Sequence, residues 1–247
     1  MTQYTSLAQV YDALTTDVEY EQWAAFAQKA FETYQLSPQL VLELACGTGN
    51  LTKCLAQAGY EMIAADLSPE MLSVAREKCE GLSCPPVFLC QDMRLLDLYG
   101  TVDAAVCCLD SLNYLTELRS LKQAFARVSL FMNPGGLFLF DMKTKAAFQS
   151  MAGVSCVEET EDWYCSWQYG YDRKSCLAEH QVDLFYRVEG ERYERKTEFH
   201  LQRCYSREQI EQALRQAGFR LRRVCAGTRL QQARPDSPRL FFIAQKI

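Results

Sequence analysis

A glycine-rich turn and an acidic residue near the start of the chain have the types and spacing of a nucleoside-binding site. The segment 41–50 reads VLELACGTGN, an apolar run that leads into a turn, and Asp66 ends a second apolar run that begins at Met62. Gly47 and Asp66 are 19 residues apart, close to the ~20 residues between such a turn and a ribose-binding acid. Backbone N–H groups and a carboxylate in this arrangement surround a ligand that carries a nucleoside.

The elements that must position this turn follow one another in regular alternation. Ser68-Pro69 starts one helical segment, because serine suits the N-cap and proline the first helical position. Alternating strands and helices predict an α/β fold with a doubly wound, mostly parallel sheet. The strand-like apolar runs lie at 39–44, 62–65, 87–90, 102–109 and 137–140.

Three local patterns make more specific predictions. Apolar residues from Trp23 to Phe31 recur at helical spacing, which assigns Trp23 to the core face of a helix. Thr116 is the expected cap of the helix after the fourth strand. Residues 133–136 (NPGG) predict a turn before the fifth strand.

The pattern changes after about residue 150. Residues 154–205 are rich in aromatic and β-branched residues, which predicts antiparallel hairpins. A capping box at 206–209 then begins another helix. We expect residues 1–150 and 205–247 to form the core with an N-terminal helical arm. Residues 151–204 form an insertion, either a substrate cover or a dimerisation element.

Composition excludes several classes of function. Hydrophobic residues make up 49% of the chain and the net charge is −5, so no basic field favours nucleic acid. A solvated helix end and strand explain the arginines between 215 and 223 better than an RNA patch. The 12 cysteines include no Cys-x-x-Cys pair, and neither histidine has zinc-finger spacing, so no metal is expected. No signal peptide or membrane-length apolar run is present, which predicts a cytoplasmic protein with reduced thiols.

The turn itself is similar to that of a known family. The string from Glu43 to Gly49, E-x-x-x-G-x-G, resembles motif I of the class I S-adenosylmethionine-dependent methyltransferases. A dinucleotide site would have glycine where this chain has Ala45 and a third glycine after Gly49, which disfavours a nicotinamide oxidoreductase. Two final strand patterns, 219–225 and 240–244, resemble the antiparallel pair that closes the seven-stranded sheet of this family.

The resemblance implies a cofactor site built from several strand ends. The turn wraps the methionyl part of S-adenosylmethionine, and Glu43 reaches toward its ammonium. Asp66 accepts both ribose hydroxyls, Asp92 takes the adenine amino group, and a carbonyl near Leu109 takes the ammonium. The expected cofactor-binding residues are Tyr11, Glu43, Ala45, Gly47, Gly49, Asp66, Leu67, Met71, Asp92, Met93, Leu109 and Asp110.

The acceptor side is expected to come from the arm, the loops after the fourth and fifth strands, and the insertion. Tyr4 and Tyr11 resemble the arm aromatics of small-molecule N-methyltransferases, where aromatic faces stabilise a sulfonium, although both also fit ordinary packing. Tyr11 and Asp141 are the candidate catalytic residues, and Asp141 fits equally well as a cap near Thr144. The expected substrate-binding residues are Tyr4, Asn113, Tyr114, Asp141, His180 and His200. Asn113 and Tyr114 fit a helix-start turn equally well. The two histidines also fit a strand face without a functional role.

These patterns together predict transfer of a methyl group from S-adenosylmethionine to a small-molecule acceptor, on nitrogen in preference to oxygen. The chain would act as a monomer or a homodimer, without nucleic acid or membrane. Two alternatives stay open, namely an RNA or protein methyltransferase on the same fold and a non-catalytic module that binds S-adenosylmethionine.

Overall fold

Seven strands form one mixed sheet with helices on both faces, and four more form a separate antiparallel sheet. The structure is a computed structural model that describes residues 7, 8 and 10–247. The helices are α1 (Tyr11–Leu14), α2 (Tyr20–Thr33), α3 (Asn50–Gln57), α4 (Pro69–Lys78), α5 (Leu118–Leu130), α6 (Lys145–Met151) and α7 (Arg207–Gln216). The strands are β1 (Leu40–Leu44), β2 (Glu61–Asp66), β3 (Val87–Cys90), β4 (Val102–Cys107), β5 (Met132–Lys143), β6 (Ser155–Glu159), β7 (Trp163–Asp172), β8 (Leu177–Glu189), β9 (Arg192–Arg203), β10 (Phe219–Cys225) and β11 (Arg239–Lys246). Two 3-10 helices cover Met93–Leu95 and Ser111–Tyr114.

The large sheet has the order β10-β11-β5-β4-β1-β2-β3. Strands β1 to β5 pair in parallel, whereas β11 is antiparallel to both β5 and β10. The doubly wound, mostly parallel sheet predicted from the sequence is therefore confirmed. Because β1 lies between β2 and β4, the carboxyl ends of these three strands meet at one edge, where open α/β sheets bind ligands.

Both faces of the sheet are covered, which explains the continuous apolar strands. On one face, Phe125 of α5 packs against Phe138 and Phe140 of β5 with ring centroids 5.7 and 5.4 Å apart. On the other face, the stripe of α2 includes Phe26 and Phe31, both almost fully buried. A strand buried on both sides has no polar alternation.

Two local predictions were wrong. Residues 133–136 do not form a turn that precedes β5; they lie inside β5. Val102 pairs with Met132 whereas Ala104 pairs with Leu137, so the extra residues of β5 form a bulge. A side chain at Gly136 would place Cβ 2.5 Å from the Asp103 carbonyl oxygen. Thr116 does not cap α5 either: the helix begins at Leu118, after Glu117.

The insertion after β5 is antiparallel, as predicted, and its four strands form a sheet in the order β6-β7-β8-β9. His180 of β8 is directly opposite His200 of β9. One face of this sheet packs against the arm, since Leu7 lies in a cluster with Val182 and Leu184. Across the described part of the chain, no helix is long and apolar enough to span a bilayer.

Candidate functional site

A cavity of about 720 Å³ lies at the carboxyl ends of β1, β2 and β4. Most of the residues predicted to bind the cofactor line it, together with one predicted acceptor residue. These are Tyr11, Glu43, Ala45, Gly47, Asp66, Leu67, Met71, Asp92, Met93, Leu109 and Tyr114. The sequence did not single out several further lining residues, among them Tyr20, Thr48, Asn50, Arg94, Cys108, Ser111 and Glu117.

Asp66 holds the two loops that meet at the centre of the cavity. Its Oδ2 accepts a hydrogen bond of 2.8 Å from the Gly47 N–H, and its Oδ1 accepts one of 2.9 Å from the Ser68 N–H. Burial raises the pKa of this carboxyl, although the backbone donors act in the opposite direction. The Leu67 N–H is a third backbone donor to this group. A carboxylate has about four acceptor positions, so the side chain retains acceptor capacity for a ligand.

The two glycines of the turn serve different purposes. Gly47 has φ +54° and a Cβ there would meet nothing within 4 Å, so it would project into open space at the cavity wall. Gly49 has φ +77°, and its Cβ would lie 2.9 Å from Cβ of Ala75 in α4. The prediction that both glycines leave room for the ligand therefore needs correction: Gly49 is explained by the close approach of two helices.

Glu43 is a buried acid at the end of β1. It is 3% exposed, and its Oε2 accepts a hydrogen bond from the Thr52 hydroxyl. Burial, reinforced by Asp66 and opposed by Thr52, raises the pKa of Glu43 to about 8. Without a cationic ligand this carboxyl is therefore protonated at neutral pH, and a bound cation would favour its ionisation.

We expect Glu43→Gln to remove part of the pH dependence of stability. The folded pKa of about 8 is above the unfolded value, so Glu43 stabilises the fold at low pH and loses that contribution as pH rises toward 8. The loss is about 1.4 kcal/mol per pH unit between the two values. Denaturant titrations from pH 6 to 8 should show a steeper decline for the wild type than for Glu43→Gln. Parallel declines would contradict the assignment, and Glu61→Gln, an exposed acid on β2, is the control.

The loop after β3 supplies an acid that is already paired. Asp92 Oδ1 accepts hydrogen bonds from the Arg94 backbone N–H at 2.8 Å and from Nε at 3.0 Å. Arg94 chiefly holds the pKa of Asp92 below its usual range, so the acid is ionised. Any adenine amino group would share this carboxylate with Arg94. Beside it, Leu67 is 53% exposed and Met71 is buried, which leaves an apolar surface for a flat ring.

The acids after β4 and β5 belong to a buried charge network behind the cavity. Oδ1 of Asp110 lies 2.7 Å from Nη2 of Arg239, and Oδ2 lies 3.1 Å from Nζ of Lys143. Asp141, which is fully buried, pairs with Nη1 of Arg239. The predictions that Asp110 contacts the cofactor and Asp141 the acceptor need correction, because ion pairs hold both outside the cavity wall. Asp141 does not cap α6 either, since Thr144 is its N-cap.

This network fixes the direction of one peptide group in the cavity wall. Leu109 and Asp110 have φ of 58° and 52°, conformations that side chains disfavour. The Asp110 N–H donates a 3.0 Å hydrogen bond to Oδ2 of Asp141. Because the peptide bond is trans, its carbonyl points the opposite way. The Leu109 carbonyl is therefore directed away from Asp141, as a carbonyl that binds a ligand at the cavity requires.

Three other predicted acceptor residues, Asn113, His180 and His200, also lie outside the cavity lining. Asn113 is fully buried; its Nδ2 donates to the Arg203 carbonyl at 2.8 Å and its Oδ1 accepts from the Lys143 N–H at 3.0 Å. It joins the loop after β4 to the ends of β5 and β9.

His180 is buried, with Nε2 3.0 Å from Oε1 of Gln202. His200 does not line the cavity but contacts Tyr114, which does. Tyr4 lies outside the described residues.

The arm is attached to the glycine-rich turn by a residue that the sequence did not indicate. Oδ1 of Asp12 accepts hydrogen bonds from the Thr48 hydroxyl at 2.6 Å and from Nδ2 of Asn50 at 2.9 Å. Its Oδ2 lies 2.6 Å from Nζ of Lys78. Burial raises the pKa of Asp12, but hydrogen bonds from Lys78 and Thr48 outweigh this and hold it below its usual value. The neighbouring Tyr11 is thereby placed in the cavity wall.

We expect Asp12→Ala to loosen the arm. Because the acid is partly exposed and solvent screens the ion pair, the expected effect is modest: roughly a fivefold faster cleavage of the arm by a protease, corresponding to about 1 kcal/mol. Timed limited proteolysis with mass identification of the cut site measures this. Asp17→Ala, an exposed acid beyond α1, is the matched control; equal cleavage of both variants would exclude the attachment.

Trp23 occupies the core position that the sequence predicted and has a second role as well. It packs against Phe241 with ring centroids 5.0 Å apart, as a core residue does, but it also lines the cavity beside Tyr20. Its position near the start of α2 places it at the ligand-binding edge of the sheet, which the helical stripe alone does not reveal.

The acidic and aromatic side chains of the cavity wall fit a cationic cofactor without phosphates. Two acids, Glu43 and Asp66, line the turn, where they offer no positive charge to a pyrophosphate but can be ionised beside a sulfonium or an ammonium. Tyr11, Tyr20 and Trp23 add aromatic side chains to that wall. The Trp23 ring already lies beside the Arg239 guanidinium, 5.8 Å from the ring centroid. In the described residues there is no group of three or more metal-ligating side chains that could hold an ion.

Comparisons with known proteins agree with this geometry. Residues 41–136 match the methyltransferase domain family. The Bacillus subtilis protein YqeM, whose name assigns it to the methyltransferases, is 36% identical over 98% of this chain and 97% of its own length. A crystal structure of an S-adenosylmethionine-dependent methyltransferase from Clostridium acetobutylicum aligns with a TM-score of 0.87, 29% identity and 99% coverage of both chains. A sugar N-methyltransferase from Streptoalloteichus aligns with a TM-score of 0.79 and 19% identity, over 96% of this chain and 92% of its own. The chain therefore belongs to the class I S-adenosylmethionine-dependent methyltransferases.

Proposed function

We propose that this methyltransferase methylates a nitrogen of a small-molecule acceptor, with oxygen as the second choice. The observation that carries the proposal is the aromatic wall of the cavity, formed by Tyr11, Tyr20, Trp23 and Tyr114. Aromatic faces stabilise cations, and both the sulfonium and a methylated amine are cationic. The volume of about 720 Å³ is within the ~300–1,000 Å³ range of small-molecule sites and leaves room for an acceptor beside the cofactor.

The structural relatives support the same acceptor class. The Streptoalloteichus enzyme, which is a sugar N-methyltransferase, aligns over 96% of this chain, a span that includes the antiparallel insertion. We propose that residues 151–204 cover the acceptor in this chain. We place the reaction in the cytoplasm, with the chain acting as a monomer or a homodimer.

The proposed cofactor contacts follow from the groups at the cavity wall. Asp66 binds the ribose hydroxyls with the lone pairs that its backbone donors leave, and the Leu109 carbonyl and Glu43 bind the ammonium. When bound, S-adenosylmethionine supplies a methyl group activated by the sulfonium. The protein contributes mainly by holding the nucleophile in line, and positioning of this kind can supply roughly 7–11 kcal/mol.

An RNA acceptor is less well supported. The arginines concentrated between 215 and 223 lie on α7 and β10. Strand β10 is at one edge of the sheet and β3 at the other, whereas the cavity lies at the ends of β1, β2 and β4. The basic surface is therefore displaced from the cavity, whereas RNA methylation needs a basic face beside it.

The test has two stages. Calorimetric titration should first show binding of S-adenosylmethionine. A panel of amine and hydroxyl metabolites, including amino sugars and amino acids, is then assayed for release of S-adenosylhomocysteine, and product mass spectrometry identifies the methylated atom. Turnover of amines supports the proposal. Turnover of hydroxyl compounds alone, or of RNA or protein alone, would refute it.

A further inference from the structure

A line of three side chains leads from the cavity into the antiparallel sheet. The Tyr114 hydroxyl is 3.3 Å from Nδ1 of His200, and Nε2 of His200 is 3.2 Å from Oε2 of Glu198. The His200 side chain is 0% exposed and that of Glu198 is 11% exposed. Tyr114 lines the cavity, so the line begins at the cavity wall and ends at a largely buried carboxylate.

The fold separates this line from Asp66, the acid proposed to bind the ribose. Asp66 ends β2, whereas Tyr114 ends the 3-10 helix that follows β4, and β1 lies between these strands. Neighbouring strands are about 4.8 Å apart, so the two strand ends are separated by roughly 10 Å. Glu198 and His200 are two residues apart on β9 and therefore project from the same face.

We propose that Tyr114, His200 and Glu198 form a proton relay that takes up the proton lost by the methyl acceptor. The proposal rests on the proposed small-molecule methyl transfer. In this relay Tyr114 is the catalytic residue, because the tyrosine touches the acceptor. His200 and Glu198 are positioning residues that act through Tyr114.

The proton and electron balance is complete within the site. The acceptor gives a proton to the Tyr114 oxygen while the tyrosine passes its own proton to Nδ1 of His200. Glu198 stabilises the resulting imidazolium, which returns the proton through Tyr114 to the cavity and to solvent after the product leaves. The neutral acceptor then forms a bond to the methyl carbon with its lone pair as the carbon–sulfur bond breaks, and that electron pair stays on sulfur. Histidine is the side chain suited to such exchange near neutral pH.

His180, the other histidine of the antiparallel sheet, has the contacts expected of a structural residue. His180 is directly opposite His200, but its Nε2 meets the neutral amide of Gln202 at 3.0 Å, and its ring packs against Tyr169 and Phe148. It has neither a carboxylate partner nor a cavity residue among these contacts. His200 has both, which a plain strand-face histidine does not require.

Among the described residues, the groups that face His200 come from three strands and the 3-10 helix. Tyr114 approaches from the 3-10 helix, Glu198 from β9 itself and His180 from β8, while β7 contributes the non-titrating ring of Trp167, 6.3 Å away. Glu198 also accepts a 3.3 Å hydrogen bond from the Leu7 N–H of the arm. The arm therefore helps to position the carboxylate of the relay.

The first experiment needs no acceptor. The chain has only two histidines, so nitrogen NMR of protein labelled at histidine gives two ring systems, and His200→Asn assigns them. The relay requires neutral His200 to carry its proton on Nε2 and to accept at Nδ1. Tyr114→Phe should shift Nδ1 of His200 and Glu198→Gln its Nε2, whereas Tyr164→Phe and Glu179→Gln, exposed positions of the same sheet, should shift neither. A proton on Nδ1 in the wild type would overturn the relay.

The second experiment measures rates with glycine, ethanolamine and glucosamine as amine probes. Tyr114→Phe should slow methylation about 100-fold, as loss of a proton acceptor does, with the dissociation constant of S-adenosylmethionine within twofold of the wild type. The deficit should shrink between pH 7 and pH 10, because solvent then supplies the neutral amine. A wild-type rate, or a deficit that is constant with pH, would overturn the catalytic role.

The two proposals fail separately. If only hydroxyl compounds are methylated and Tyr114→Phe slows that reaction, the nitrogen proposal fails and the relay stands. If amines are methylated at equal rates by the wild type and Tyr114→Phe, the relay fails and the nitrogen proposal stands. If no probe reacts, the protonation state of His200 in the NMR spectra decides the relay.

Discussion

Asp66→Asn is expected to weaken S-adenosylmethionine binding by about 100-fold. Each hydrogen bond from a ribose hydroxyl to a carboxylate contributes roughly 1.5–3 kcal/mol, and two such bonds total at least ~3 kcal/mol, or about two factors of ten. Asparagine has one carbonyl oxygen for the Gly47 and Ser68 N–H groups, and its amide nitrogen donates instead of accepting. Calorimetric titration measures the loss.

The choice of asparagine over alanine limits the structural damage. Alanine would leave the Gly47 and Ser68 N–H groups, now 2.8 and 2.9 Å from Asp66 oxygens, without any partner, at a cost of about 1–3 kcal/mol each. Asp97→Asn is the control, because this acid is largely exposed. An unchanged dissociation constant for Asp66→Asn, with a melting temperature near that of the wild type, would remove Asp66 from the site.

Local sequence spacing predicts those parts of the site that lie within one β-turn-α-β unit. Gly47 and Asp66 are 19 residues apart and hydrogen-bond to each other, so their chemistry is visible as a pattern. The capping box of Ser206 and Gln209 is equally local and is confirmed. In such cases the residue types themselves satisfy the backbone groups beside them.

Contacts that the insertion and the last strand make are not visible in this way. Tyr114 and His200 are 86 residues apart, and Asp141 and Arg239 are 98 apart. Hydrophobic periodicity gives the element but not its neighbours. Asp141 was therefore predicted as a candidate catalytic residue, or a cap, from its position at a strand end. Its ion pair with Arg239 depends on antiparallel β11, whose register the sequence does not specify.

Arg239→Met is expected to lower the free energy of unfolding by about 3–5 kcal/mol. Arg239 pairs with both Asp110 and Asp141, and removal of one partner leaves charge buried without compensation. For a chain of this size each kcal/mol corresponds to roughly 2–4 °C in melting temperature. Chemical denaturation measures the change, with Arg220→Met on the exposed side of β10 as the control.

The pH dependence of this loss has a definite sign. Burial raises the pKa of Asp141 to about 6 despite Arg239, so its favourable contribution is present at low pH and disappears as pH rises through 6. For Asp110, Lys143 and Arg239 overcome burial and lower the pKa to about 2, so its contribution is lost only as pH falls toward 2. Without Arg239 both pKa values rise. The deficit of Arg239→Met should therefore be larger at pH 8 than at pH 5.

Arg239→Lys separates the charge of the arginine from its geometry. A lysine keeps one positive charge but cannot reach both acids with the planar fork of a guanidinium. If the network serves to aim the Leu109 carbonyl through the 3.0 Å bond from Asp110 N–H to Asp141, this variant should bind S-adenosylmethionine more weakly even where it is folded. Full stability with normal binding would show that a positive charge alone suffices. If the variant is destabilised but binds S-adenosylmethionine normally, the network contributes to folding alone, because the Leu109 carbonyl then keeps its direction without the guanidinium.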